Sequence, residues 1–177
     1  LYRRELEMSD GKRTWELHEL DVQAGGEDLF LVIGNTGVHA PTSAQVAKVA
    51  EAIQQEPKRM KEIETIGTIA RRGILALKHG DYDAVGRAMT ENQIMLRGLG
   101  VSCPELDALI RAAAPTSLGA KLTGAGGGGC MVALTRNPKT TSEAIELAGG
   151  RAFISKFGND GVRVETIERV PLWSPDS

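Results

Sequence analysis

The chain has 177 residues, 41% of them hydrophobic and 25% charged, with 21 basic against 23 acidic side chains and a formal net charge of −2. That composition belongs to a globular chain large enough to bury a core without disulfides or a structural metal, and it excludes fibrous, collagen-like and disordered proteins. The near-neutral balance gives no basic footprint for nucleic acid, and no apolar run approaches the roughly 20 residues that cross a bilayer.

The basic pairs Lys58-Arg59 and Arg71-Arg72 fall in helical stretches with acids nearby and read as a solvated face. Residues 1–14 carry no signal-peptide core, so a soluble, cytoplasmic protein is expected. Cys103 and Cys130 are the only cysteines, and His18, His39 and His79 stand apart from them and from one another. This spacing argues against a zinc site and against a secreted disulfide scaffold. Residue 1 is Leu rather than Met, which reads as a processed start or a piece of a longer chain.

Residues 2–8 and 14–20 alternate loosely around Ser9-Asp10-Gly11-Lys12 and predict a hairpin. The apolar run Leu29–Ile33 predicts a central strand, followed by the loop Asn35-Thr-Gly-Val-His-Ala-Pro41. Thr42 with Gln45 three residues on has the spacing of a capping box, with Thr42 as the cap. Val46, Val49, Ala50 and Ile53 then recur at helical spacing up to Pro57. A second helix is expected over about 58–79, with Met60, Ile63, Ile66, Ala70, Ile74 and Leu77 on one stripe and Gly80 as its stop.

Asp81 is placed to cap a third helix with Val85, Ala88, Met89, Asn92, Leu96 and Leu99 on its stripe and Gly100 at its end. Asn92, lying in that stripe, is expected to be a buried polar group with a backbone partner. Ser102-Cys-Pro-Glu105 opens a fourth helix, with Ser102 as cap. After Pro115 the pattern turns to strands: 119–123, a glycine loop, 130–135, a short helix near 142–147, and strands near 152–155 and 162–167. Segregated helices and strands predict α+β architecture in one domain, an antiparallel sheet packed against several helices.

Thr123-Gly-Ala-Gly-Gly-Gly-Gly129 is the most informative segment, because so little side chain costs entropy that folding must recover elsewhere. Gly124, Gly126 and Gly129 satisfy G-x-G-x-x-G, but that dinucleotide fingerprint needs a helix next, and Cys130–Thr135 reads as a strand. A Walker A ending is absent too. What remains is a strand, a loop with free backbone N–H groups, and a strand. An anion or a close-packed neighbour explains it; so does a plain connection, although a hairpin turn needs only two residues.

Lys121-Leu-Thr-Gly-Ala-Gly-Gly-Gly-Gly-Cys130 resembles the third, C-terminal signature of the GHMP small-molecule kinases, in the form found in their mevalonate-kinase branch. Ile33-Gly-Asn-Thr-Gly-Val-His-Ala-Pro-Thr42 leading into Val46 and Val49, and Glu91-Asn-Gln with Leu99-Gly-Val-Ser102, resemble further segments of that branch in the right order. The resemblance covers most of residues 29–135. It implies the ferredoxin-like C-terminal half of an ATP- and Mg²⁺-dependent kinase that phosphorylates mevalonate in isoprenoid synthesis.

In that family the ATP-phosphate loop, the Mg²⁺-binding acid and the catalytic Asp lie in the N-terminal half. No P-x-G-x-G-L-G-S-S-A-like segment and no S-G-x-D-like context occurs here. Residues 1–177 are therefore expected to be one domain, a fragment inactive alone, with no catalytic residue, no metal ligand and no cofactor of its own. Carried over by position, Gly124, Ala125, Gly126, Gly127 and Gly128 would support the phosphate loop, and Thr42 would meet substrate, with Thr36 a second candidate.

Thr42 has the alternative of being a helix cap alone, and Lys121, which could meet a phosphate, that of an exposed or paired strand residue. Cys130 reads as core and His39 as a solvated loop residue. The face meant for the missing half is expected to be exposed and apolar, which favours self-association. Two other readings stay open: a GHMP kinase for phosphomevalonate, galactose or homoserine, and a stand-alone ferredoxin-like binding module.

Overall fold

The computed structural model describes the backbone of residues 2–5 and 14–17 and all of residues 28–157. Strands β1 (Tyr2–Glu5) and β2 (Thr14–Leu17) pair antiparallel, with Tyr2 opposite Leu17. The expected strand at 162–167 lies outside the described residues.

The main sheet has four antiparallel strands in the order β4-β5-β3-β6, built from β3 (Phe30–Asn35), β4 (Gly119–Leu122), β5 (Cys130–Thr135) and β6 (Arg151–Lys156). Between β3 and β4 the chain forms α1 (Thr42–Gln55), α2 (Met60–Lys78), α3 (Tyr82–Gly98) and α4 (Pro104–Ala113); α5 (Pro138–Leu147) joins β5 to β6. The order is that of a ferredoxin-like sheet with extra helices inserted after its first strand.

Helices α4 and α5 cover one face of the sheet, because each carries an apolar stripe that only the sheet can bury. Leu106, Leu109 and Ile145 meet Val32, Ala120, Leu122, Met131 and Ala133 there, all essentially inaccessible. A smaller cluster joins Leu29, Tyr82 and Leu134 with half-buried Phe157, whose N–H donates to the Leu29 carbonyl at 2.8 Å.

Helix α3 flanks the outer edge of β4. The two backbones come so close that a β-carbon added to Gly119 would stand 2.0 Å from the Gly86 carbonyl oxygen, and one on Gly86 would stand 2.2 Å from that of Leu118. Only glycine fits on both sides of this contact. Helix α2 packs on α3 and buries only Ile69 among its own residues.

The helix ends test the sequence signals one by one. Asp81 caps α3, accepting from the Ala84 N–H at 2.9 Å. At the other end Gly100 takes φ +74°, while its N–H and that of Val101 donate to the Arg97 and Leu96 carbonyls, the pair of hydrogen bonds that closes a helix C-terminus. Ser102 is not the cap of α4: Cys103 holds that position, Pro104 begins the helix, and the Ser102 hydroxyl turns to Asp107. Helix α5 starts at Pro138, four residues before the expected 142, because proline is pre-set for a first helical turn.

Asn92 is half-buried and faces α2, whereas its neighbour Gln93 is the buried polar residue, at 4% exposure. One residue is a 100° turn of the helix, and Gln93 is the one directed at β4. The basic pairs face solvent with acids beside them: Lys58 and Arg59 on Glu56 at 2.6 and 2.9 Å, and Arg72 on Glu91.

Candidate functional site

Strands β3 and β5 end side by side, with Asn35 opposite Cys130. The loop 36–41 leaves β3 at this end of the sheet, and the glycine loop enters β5 at the same end. They are bonded together: the Thr36 N–H and hydroxyl both donate to the Gly129 carbonyl at 2.9 Å, and the Gly129 N–H donates to the Val38 carbonyl at 2.8 Å. The turn after α3 holds the other side of the loop, where the Gly127 N–H donates to the Val101 carbonyl at 2.8 Å.

Close contact explains why this loop carries so little side chain. A β-carbon on Gly126 would stand 2.0 Å from the Val101 oxygen, and one on Gly127 2.3 Å from Gln45 Nε2; both residues have positive φ, +86° and +72°. Among the described residues, the N–H groups of Gly124, Ala125, Gly126 and Gly128 donate to no acceptor. Such a set of unpartnered backbone donors is suited to an anion.

The candidate substrate residues sit beside this loop in different ways. Thr36 is already engaged, donating to Gly129 and accepting from the Val38 N–H at 3.2 Å. Thr42 is exposed at the first position of α1 and is not a cap: Pro41 precedes the helix in extended conformation, with no side-chain cap bond. Because Thr42 is itself helical, its hydroxyl does not reach the turn ahead, and among the described residues it has no partner. The Ala44 and Gln45 N–H groups return to the Pro41 carbonyl at 3.1 and 3.4 Å, leaving those of Thr42 and Ser43 as the open end of the helix.

Gln45, read from sequence as half of a capping box, instead lies against Gly127, with its Oε1 buried and unpartnered among the described residues. The loop, Thr36 and the first turn of α1 are thus brought together. Sequence reading missed the contributions of Gln45 and of the Val38 and Val101 carbonyls. Backbone acceptors leave no mark on residue type, so nothing could have singled them out.

Lys121 faces elsewhere. It stands in a row with Val132, Ile33 and Phe153 on the sheet face turned away from α4 and α5, under a groove of about 370 Å³ between α2 and α3. Its ammonium donates to the Leu122 carbonyl at 2.6 Å, and burial pushes its pKa down from the ordinary lysine value. It is neither exposed nor paired with an acid among the described residues, since apolar side chains of α2 and α3 surround it. His39 is exposed, and Cys130 is half-buried as a free thiol.

The family description "GHMP kinases C terminal" matches residues 74–153. Residues 74–153 are a GHMP kinase C-terminal domain. The GHMP match takes in the glycine loop and its Val101 anchor; Thr36 and Thr42 lie before it. The chain is also similar to mevalonate kinases. It is 36% identical over 148 residues to the one from Pyrococcus furiosus and 39% identical over 150 residues to the one from Thermococcus sibiricus, each alignment covering 79% of this chain. The chain spans 44% of the length of either relative.

A solved structure, L. major mevalonate kinase in complex with R-mevalonate, superposes with a TM-score of 0.70 at 30% identity, covering 88% of this chain and 47% of that one. No helix among the described residues is long and apolar enough to cross a membrane.

Proposed function

We propose that this chain supplies the C-terminal part of an ATP-dependent mevalonate kinase, which converts mevalonate to 5-phosphomevalonate. The observation that carries this reading is the glycine loop with its four N–H groups unpartnered among the described residues, clamped beside the free first turn of α1 in a chain that resembles mevalonate kinases over 79% of its length. The loop donors are suited to the phosphates of ATP, and the Thr42 hydroxyl with the open helix end to mevalonate and its carboxylate. Thr36 has the lesser role of holding Gly129 in place.

Phosphoryl transfer depends on alignment and on charge stabilisation in a dry cleft, and fixed backbone donors contribute both. ATP supplies the phosphoryl group. No group of three or more His, Cys, Asp or Glu among the described residues is placed to hold a metal ion. On the family resemblance we assign the Mg²⁺ ligands and the catalytic Asp to the N-terminal half of a longer protein, and expect the segment to be inactive by itself.

Helix α1 supports the same division. It buries none of its own residues, and Val46 (61% exposed), Val49, Ala50 and Ile53 form with Val101 and Ala125 an apolar groove of about 360 Å³ that continues into the glycine loop. The N-terminal half would cover this groove, and the isolated segment would self-associate through it. A cytoplasmic location belongs to this reading.

The test is mevalonate-dependent ADP release by the full-length gene product, with residues 1–177 as control. Turnover by the full-length protein alone is expected. Absence of turnover by a folded full-length protein, or turnover by the segment itself, would refute the proposal.

A further inference from the structure

Leu122 is the last residue of β4, an edge strand, and beyond it begins the glycine loop. An edge strand leaves backbone N–H groups without strand partners. The Leu122 N–H is met instead by a side chain, donating to Gln93 Oε1 at 2.8 Å. Gln93 in turn lies 3.3 Å from the Ser102 hydroxyl through Nε2; that hydroxyl lies 2.7 Å from Asp107 Oδ1, and Asp107 Oδ2 lies 3.2 Å from Arg97 Nε.

The direction of every bond follows from what each group can do. A carboxylate only accepts, so Ser102 donates to Asp107 and accepts from Gln93. The Gln93 amide nitrogen is thereby committed to Ser102 and its oxygen to Leu122. A buried side chain satisfied at both ends in this way holds its neighbours to one geometry.

The two groups that Gln93 bonds each adjoin a place where the glycine loop is held. Leu122 is its root, and Ser102 follows Val101, whose carbonyl receives the Gly127 N–H at 2.8 Å. We infer that Gln93 is a positioning residue for the glycine loop, fixing the exit of β4 and the Val101–Ser102 turn together. Its consequence for turnover rests on the kinase reading above; its consequence for loop geometry does not.

The experiment uses the full-length protein and the variants Gln93→Met, which keeps shape and loses both bonds, and Ser102→Ala, which loses the outer one. Amide hydrogen exchange is measured at 122–129 and, as a control, in α5, together with kcat and the ATP KM. Gln93→Met is expected to speed exchange at Leu122 and at the bonded loop amides of Gly127 and Gly129 about tenfold, roughly one lost buried hydrogen bond. Exchange in α5 is expected to stay unchanged, and kcat/KM for ATP to fall about tenfold. Ser102→Ala is expected to move the same amides less.

A merely structural role would speed α5 as well, and that pattern would overturn the inference, as would wild-type exchange in the loop of Gln93→Met. Should Gln93→Met not fold, Ser102→Ala decides: faster loop exchange with α5 unchanged supports the inference, and wild-type loop exchange overturns it. A wild-type protein that phosphorylates no mevalonate would refute the kinase reading while the exchange data still decide the role of Gln93.

Discussion

A β-carbon on Gly126 would lie 2.0 Å from the carbonyl oxygen of Val101, whereas one on Gly124 would meet nothing within 4 Å, although both residues have positive φ. The pair separates conformational strain from collision. Gly124→Ala is expected to cost about 1 kcal/mol, the left-handed penalty alone. Gly126→Ala is expected to cost about 3 kcal/mol or more, because the Val101 turn must also move. Urea denaturation of the two variants measures the difference, and equal losses would show that the contact with Val101 yields without cost.

Thr42 offers a cleaner separation of stability from binding than a true cap would. Since its hydroxyl satisfies no N–H of the helix, Thr42→Val is expected to change stability by less than about 0.5 kcal/mol, as ordinary surface substitutions do. In the full-length protein the mevalonate KM is expected to rise about tenfold, the loss of one ligand hydrogen bond. A stability loss near 1 kcal/mol with an unchanged KM would return Thr42 to a capping role.

Asp81 is the contrasting case, a cap that does bond. Asp81→Ala is expected to lower stability by about 1 kcal/mol, and Asp81→Asn by much less, because Asn accepts from the same N–H. Thermal unfolding of the two variants checks this; equal losses would assign the effect to charge at the helix end rather than to the hydrogen bond.

Lys121 sets a pH dependence whose sign follows from burial. Its folded-state pKa lies below 10.5, so between the two values the unfolded chain binds the proton and the folded chain does not. Below that interval the folded protein carries the full penalty of a desolvated ammonium, and stability from this group rises as pH climbs through it. Lys121→Met is expected to be more stable than wild type at pH 7, with the advantage shrinking as pH approaches 10.5. Denaturation across the alkaline range tests this, and an advantage that does not vary with pH would remove desolvation as its cause.

Elements defined by periodicity or by a dedicated residue were legible in the sequence. The glycine at 100, the aspartate at 81 and the run Cys130–Thr135 each performs the function that its chemistry suggested. The misreadings at Thr42, Ser102 and Asn92 have two causes. Spacing suggests a helix cap at Thr42 and at Ser102, but Gln45 lies against Gly127 and Ser102 bonds Asp107 inside α4; the apolar stripe points to Asn92, but its neighbour Gln93 is the one that reaches Leu122. The glycine loop was visible by composition, but the carbonyls that hold it were not, since every residue type has one.

The bond between Thr36 and Gly129 joins residues 93 apart in sequence. A contact of that range closes a long loop, so its entropic cost must be met by the pairing of β5 with β3 along the sheet. During synthesis the Thr36 segment must wait for β5 before it has a shape, and any intermediate in which α2 and α3 have formed but β3 and β5 have not paired is helical yet has no site. Loss of the Thr36–Gly129 bond would accordingly report on sheet pairing.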